Sequence, residues 1–175
     1  MGDRAGGDYG MRPDQNLDDF ERKIIDNVRD HGCQVNFVFD PDKEVPDFSY
    51  SIGFPETVKQ PEVIVFGLRQ DVMHFMVNEV LVRCRSGLKL ADLTEIYGLL
   101  EGCRCIIRRV HPSTPLGQFF GWAMWFHRFS VDTELTDVVQ IVWPGKLDGL
   151  FPWEEGCNEL VIERQLPLYL PRGSM

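Results

Sequence analysis

Residues 62–68 read Glu-Val-Ile-Val-Phe-Gly-Leu, an almost uninterrupted apolar run. Such a run is typical of a central strand whose two faces are both covered by other elements. The stretch that follows, residues 70–85, repeats apolar side chains four positions apart and is followed by Gly87, which predicts a helix. We therefore expect a sheet with residues 62–68 inside it and a helix next to it along the chain.

The sequence before this run predicts one helix and two strands. The helix is expected to begin at Asn16 and to end at Gly32, because apolar residues recur at helical spacing between them. Residues 35–39 then follow the period-two pattern of a half-buried strand. After a polar loop, residues 48–54 are expected to form the next strand.

The sequence after residue 85 predicts a helix among further strands. Its segments are a strand or hairpin at 99–110, an aromatic-rich helix at 119–129, a strand at 138–143 and a short last strand at 160–166. This order predicts an α+β fold: a single domain with a mostly antiparallel sheet packed by about three helices. The residues expected in its core are Val35, Phe37, Ile52, Val63, Val65, Phe66, Val77, Ile106, Trp122, Phe126 and Ile141.

The chain has 175 residues and a net charge of −9, which suits one acidic domain. Nucleic acid is not an expected partner, because phosphate binding needs clustered lysines and arginines. No membrane is expected either, since no apolar run approaches about 18–20 residues, and residues 1–15 carry no secretion signal. We expect a cytoplasmic protein with a disordered leader (1–15), one domain (16–170) and a C-terminal tail (171–175).

The usual catalytic and metal-binding motifs do not occur in the sequence. There is no phosphate-binding glycine loop, no nucleophile elbow and no histidine pair with zinc spacing. Cys103 and Cys105 form a C-x-C pair, but zinc would need two further ligands at similar spacing. We therefore predict reduced cysteines, no metal site and no evident cofactor.

Several polar and aromatic residues are nevertheless candidates for binding a ligand. His74 and Asn78 lie one helical turn apart, and His74 could act as a general base. Trp153 and Glu154 lie in a loop between turn-forming residues, and Arg104 could pair with an anionic group. The alternative is structural: His74 and Asn78 satisfy backbone groups, Trp153 covers the core, and Arg104 pairs with Glu62 or Glu101.

Two motifs carry a resemblance to a known family. They are Tyr50-Ser51-Ile52-Gly53 and Gln60-Pro61-Glu62 with the apolar run behind it, and the likeness continues through Asn78 to Phe151-Pro152-Trp153. Over residues 20–170 the chain resembles the bacterial and phage family called domain of unknown function 4262. That family commonly has His where this chain has Gln60. The resemblance implies a small cytosolic α+β protein and no established reaction.

Together, these observations place the candidate site in one cleft. Its expected residues are Tyr50, Ser51, Gly53, Glu62, His74, Asn78, Arg104, Trp153 and Glu154. The expected function is binding of a small molecule or another protein, since the strands at 51–53 and 62–68 are similar to those of suppressor-of-fused-like domains, often immunity or interaction proteins. The alternative is a small flavin-dependent enzyme, because the same strands resemble the split barrels of flavin reductases. The flavin would then lie against Tyr50, Ser51 and the aromatic helix.

Overall fold

Eleven helices and strands and one short 3-10 turn make up the described part of the protein. The structure is a computed structural model, and it describes residues 16–172; the expected leader (1–15) and the last three residues of the expected tail lie outside this range. The elements are α1 (Asp19–His31), β1 (Gln34–Val38), β2 (Phe48–Ile52), α2 (Phe54–Val58), β3 (Glu62–Phe66), α3 (Gln70–Arg85), β4 (Glu95–Leu100), β5 (Cys103–Arg109), the 3-10 turn (Leu116–Gln118), α4 (Gly121–Val131), β6 (Val138–Val142) and α5 (Glu159–Glu163).

The six strands form one sheet in the order β1-β2-β3-β6-β5-β4. Neighbouring strands are antiparallel except for β3 and β6, which are parallel. All five residues of β3 are buried, as expected for a strand inside the sheet. The prediction of a single α+β domain with a mostly antiparallel sheet is therefore confirmed.

Helices cover both faces of the sheet. On one face α3 packs over Val63 and Val65, and on the other α1 and α4 pack over Ile64 and Phe66. Eight of the eleven expected core residues are buried, while Val35, Phe37 and Trp122 are only half-buried. The first two lie on β1, an edge strand, where one side of the backbone has no neighbouring strand within residues 16–172.

The first helix begins two residues later than the sequence predicts. Asp18, not Asn16, is its N-cap: the Asp18 carboxylate accepts from the Glu21 N–H at 2.7 Å, and the Glu21 carboxylate accepts from the Asp18 N–H at 3.0 Å. This reciprocal pair is a capping box, which satisfies two helix-end donors at once and outcompetes a lone asparagine. Gly32 ends the helix with a φ of 95°, as expected.

Other elements also differ from the predictions. The hairpin expected at 99–110 begins at Glu95, and the helix expected at 119–129 spans Gly121–Val131. The strand expected at 48–54 ends at Ile52, because Gly53 adopts a φ of 107° and opens the short helix α2. The strand expected at 160–166 is wrong: residues 159–163 form the helix α5, whose N-cap Asn158 accepts from the Leu160 N–H at 2.9 Å. Of the three consecutive apolar residues at the start of the expected strand, Val161 is buried and Leu160 and Ile162 are exposed.

Candidate functional site

The structure distributes the candidate residues over three places. Tyr50, Ser51, Gly53 and Glu62 lie in the interior around β2 and β3. His74 and Asn78 line a groove beside β1, and Arg104, Trp153 and Glu154 lie near β5. Because β3 and β6 stand between β2 and β5, the sheet order does not bring these groups into one cleft.

Glu62 is the centre of the first group. Its fully buried carboxylate accepts hydrogen bonds from the Ser51 hydroxyl, the Gly53 N–H and the Phe54 N–H, each at 2.8 Å. The Ser51 hydroxyl also accepts from the Val63 N–H at 2.9 Å. Glu62 thus joins β2, the start of α2 and β3.

Burial raises the pKa of Glu62 to about 8, and the nearby Glu56 adds to the rise. The three donors act in the opposite direction, because they stabilise the ionised form. A carboxyl group with this pKa could exchange a proton near neutral pH, but Glu62 has no exposed surface through which a ligand could reach it. Its geometry supports a structural role.

The space next to Tyr50 and Ser51 does not fit a flavin. Tyr50 is 2% exposed, and its ring packs edge-on against Phe120 with centroids 5.7 Å apart. Its hydroxyl accepts from the Trp122 N–H at 3.2 Å, so α4 lies directly over it. Ser51 is fully buried against Glu62. A flavin at these residues would have to displace the aromatic helix from the core.

The second group lines a groove of about 580 Å³ along the edge strand β1. One wall is α1, the other is the His74–Asn78 turn of α3, and β1 forms the floor. The lining residues are Phe20, Lys23, Asn27, His31, Cys33, Gln34, Val35, Asn36, His74 and Asn78. This is the volume of a small-molecule or short-peptide site.

A chain of side-chain amides runs along the α1 side of this groove. Asn27 donates to Gln34 at 2.9 Å, Gln34 donates to Asn36 at 2.9 Å, and Asn36 donates to the Tyr50 hydroxyl at 3.1 Å. The chain ties the groove surface to the buried tyrosine and fixes Gln34 and Asn36 in place. The sequence analysis missed these residues; the signal was their position two apart on a strand, which puts both on one face.

Cys33 lies in the groove, and burial favours the protonated form of its thiol. Desolvation raises the pKa of its thiol to about 12, with a further contribution from Glu62. The thiol is therefore protonated at neutral pH, and it donates weakly to the Asn78 side-chain oxygen at 3.7 Å. Asn78 thereby helps to join α3 to the residue that precedes β1.

The third group is an aromatic and arginine cluster on β5 and the C-terminal segment. The Trp153 ring stacks on Phe151 with centroids 5.1 Å apart and meets Tyr169 edge-on at 5.6 Å, while the Arg108 guanidinium lies 4.7 Å from its centroid. With these contacts, the indole has little free ring face for a ligand, although 41% of the residue is exposed. Glu154 accepts from the Phe151 N–H at 2.8 Å.

Arg104 has a different partner from those considered in the sequence, and Arg108 lies on the same strand. Arg104 pairs with Glu95 of the adjacent strand β4 at 3.2 Å, rather than with Glu62 or Glu101. Arg108, which the sequence analysis did not single out as a candidate, packs over Trp153 and Tyr169 and pairs with Asp92 at 3.4 Å. Residues 104 and 108 are an even number of positions apart on one strand, so the sequence already indicates that both side chains lie on the same face.

A contact between His127 and Glu56, which the sequence did not predict, links α2 to α4. His127 Nδ1 lies 2.8 Å from Glu56 Oε1, and His127 Nε2 lies 3.2 Å from the Thr133 hydroxyl. The Glu56 side chain is 3% exposed, and its second oxygen has no hydrogen-bond partner within residues 16–172. Sequence spacing gives no signal for this contact, because the two residues are 71 positions apart.

Two general expectations can be compared with the described residues. Within residues 16–172, no three His, Cys, Asp or Glu side chains are grouped closely enough to hold a metal ion, and Cys105 is buried while Cys103 is partly exposed. None of the helices in this part of the chain combines the length and apolar character that a membrane crossing requires.

A family model matches residues 27–158, which is more than half of the chain. Its description is "Domain of unknown function (DUF4262)". The chain belongs to this family. The DUF4262 match spans α1 from Asn27 onward, the whole six-stranded sheet and the Phe151–Trp153 loop. Phe20 and Lys23 of the β1 groove and Tyr169 of the arginine cluster lie outside it. No curated protein and no solved structure matches the chain.

Proposed function

We propose that this chain is a protein-binding module that captures an extended segment of another polypeptide as an additional strand on β1. The observation that carries the proposal is an uncharged edge strand that forms the floor of the 580 Å³ groove. On an edge strand, one side of the backbone presents N–H and C=O groups that an incoming strand can pair with. Helices on both sides of β1 would then hold the side chains of that strand.

The two edges of the sheet differ in a way that favours β1. The other edge strand, β4, contains a register shift between Tyr97 and Leu100, and Arg83 donates to the Tyr97 carbonyl. It also carries the charged Glu95. Irregular pairing and charge are the devices by which proteins block strand addition. By contrast, β1 reads Gln-Val-Asn-Phe-Val and pairs with β2 in unbroken register over all five residues.

The dimensions of the groove fit a short strand. Five residues of β1 span about 17 Å at about 3.4 Å per residue. The α1 wall from Phe20 to His31 covers a similar length, about 16 Å at 1.5 Å per residue. An added strand of about five residues would therefore contact α1 along its whole length and α3 at the His74–Asn78 turn.

The test is selection of binders from an unbiased library of displayed seven-residue peptides. Backbone amide NMR shifts of the protein then locate the bound peptide. We expect selected peptides to shift the amides of residues 34–38 and to protect them from hydrogen exchange. Selected peptides that leave these amides unchanged, or a failure to select any peptide, would overturn the proposal.

A groove-filling variant with a matched control sharpens the test. His74 is exposed, lines the groove and makes no hydrogen bond to another described side chain, so His74→Trp fills the groove without breaking a contact. It should weaken peptide binding about tenfold or more, which corresponds to about 1.4 kcal/mol. A separate cleft near β4 is lined by Phe75, residues 97–104, Pro144 and residues 146–149. Phe75 is exposed and adjacent to His74 in the chain, and Phe75→Trp should leave the affinity unchanged.

A further inference from the structure

We infer, on the basis of the proposed strand addition, that the captured segment is acidic and places carboxylates against Lys23 on one wall of the groove and His74 on the other. This names the chemical class of partner for the β1 groove. It goes beyond strand addition itself, which depends on backbone groups and is compatible with a partner of any charge.

The charge of the groove is opposite to that of the protein. The chain as a whole has a net charge of −9, yet no aspartate or glutamate is among the groove-lining residues. Their basic side chains are Lys23, His31 and His74, and none of the three has a carboxylate within 4 Å among residues 16–172. Arg85 adds positive charge at one end, where it donates to the His31 carbonyl at 2.8 Å.

The acidic residues on the two wall helices lie outside the groove lining. On α1, Asp26 and Asp30 are paired with Arg29 at 2.9 and 3.1 Å. On α3, Glu79 is paired with Arg83 at 3.2 Å. Asp26 and Asp30 share the one Arg29, and the other acidic residues of the two helices are Asp19, 3.8 Å from Arg22, Glu21, which accepts from the Asp18 N–H, and Asp71, 3.4 Å from Arg69. Because none of these carboxylates lines the groove, an incoming carboxylate meets Lys23 without a competing carboxylate of the protein in the lining.

The geometry of a strand places carboxylates on both walls. Successive side chains of an added strand point alternately toward α1 and toward α3. Lys23 is on the first wall and His74 on the second. Acidic residues are therefore favoured both at the positions of the strand that face α1 and at those that face α3. The amides of Asn27 and Asn78 lie one turn further along their helices and can hydrogen-bond to the neighbouring side chains.

The experiment compares three acetylated and amidated seven-residue peptides that differ only in charge. Threonine and valine are common to all three peptides. The variable positions carry Glu, Gln or Lys, and they include residues on both faces of the strand. The NMR shifts of residues 34–38 give the affinities at about 50 mM salt. We expect the Glu peptide to bind about fivefold more tightly than the Gln peptide, and the Lys peptide to bind least. At about 500 mM salt the ratio should fall toward one.

Matched variants assign the preference to the groove. Lys23→Gln should lower the Glu-to-Gln ratio to about twofold. Lys146→Gln makes the same change in net charge at an exposed residue that lines the cleft near β4, and it should leave the ratio unchanged. An equal response to both variants would mean that net charge alone sets the preference, and it would overturn the inference.

The remaining outcomes separate this inference from the proposed function. If the three peptides bind equally and shift residues 34–38, strand addition stands and the acidic partner is wrong. If the Lys peptide binds most tightly, the inference is also wrong. If none of the three peptides, at millimolar concentration, shifts these amides, both the inference and strand addition at β1 are overturned.

Discussion

At the scale of single residues, Glu62 shows how one buried side chain fixes a turn. Its carboxylate accepts two backbone N–H groups, those of Gly53 and Phe54, at the point where β2 gives way to α2. Gly53 has a φ of 107°, and a Cβ at this position would lie 2.7 Å from Val28. A glycine, a serine hydroxyl and a glutamate are therefore needed together, and none of the three is available to a ligand from the surface.

The raised pKa of Glu62 makes stability depend on pH. The folded state keeps its proton up to a pKa of about 8, whereas the ordinary value is 4.5. The unfolded chain therefore releases this proton first, and the free energy of unfolding falls as pH rises through this window, by up to about 1.4 kcal/mol per pH unit. Glu62→Gln should remove this slope in urea unfolding between pH 5 and 8, even if it lowers stability at every pH.

The control for this prediction is Glu155→Gln, which removes an exposed carboxyl group. It should leave the pH dependence of the wild-type protein intact. Parallel pH profiles for the wild type and Glu62→Gln would show that Glu62 is ionised in the folded state throughout this range.

At the scale of elements, two buried glutamines attach the C-terminal segment to β6 and to Trp143, which follows it. Gln165 donates to the Trp143 carbonyl at 2.8 Å and accepts from the Trp143 N–H at 3.0 Å. Gln140 likewise donates to the Leu166 carbonyl at 2.9 Å and accepts from the Leu168 N–H at 3.0 Å. Each amide pairs with backbone groups as a neighbouring strand would, so the C-terminal segment is held on β6 without being a strand.

The aromatic contacts of this segment predict its contribution to stability. Trp153→Ala removes an indole that packs on Phe151 and Tyr169 and under Arg108. A fully buried tryptophan costs about 3–5 kcal/mol on truncation; with 41% exposure we expect a loss of about 2 kcal/mol, measured by urea unfolding. Peptide binding at the β1 groove should be unchanged.

Leu147→Ala is the matched control, because this side chain is fully exposed and should contribute less than about 0.5 kcal/mol. If Trp153→Ala were equally mild, the indole would not be part of the packed core. If it instead abolished peptide binding while stability was retained, the site would lie at Trp153 and not at β1.

At the scale of the whole molecule, local patterns predicted elements better than they predicted the site. The four-residue spacing gave α3 its bounds of 70 and 85, and the apolar run gave β3. The sequence did not predict the helix α2, because the start of this helix depends on Glu62, a residue outside it. Strand order determines that His74 lies near β1 and far from Arg104. The local spacing of residues gives no information about strand order.

Thiol reactivity reports on the packing of the whole molecule. Burial raises the pKa of Cys33 and Cys105 to about 12 and that of Cys84 to about 11. These three thiols should react slowly with an aromatic disulfide reagent at pH 7.5, whereas Cys103 and Cys157 are partly exposed. We expect at most two rapidly reacting thiols in the native protein and five after denaturation. More than two in the native protein would show that the core opens on the time scale of the reaction.

The position of β6 has a consequence for how the chain folds during synthesis. Residues 62–64 pair with residues 138–140. The strand β3 can therefore pair with β6 only after more than seventy further residues have been made. The β1–β2–β3 meander and the β4–β5 hairpin can each form early from neighbouring sequence. Until β6 inserts between them, β3 and β5 expose apolar edges to other nascent chains. The partly synthesised chain therefore has two unpaired strand edges at which aggregation is favoured.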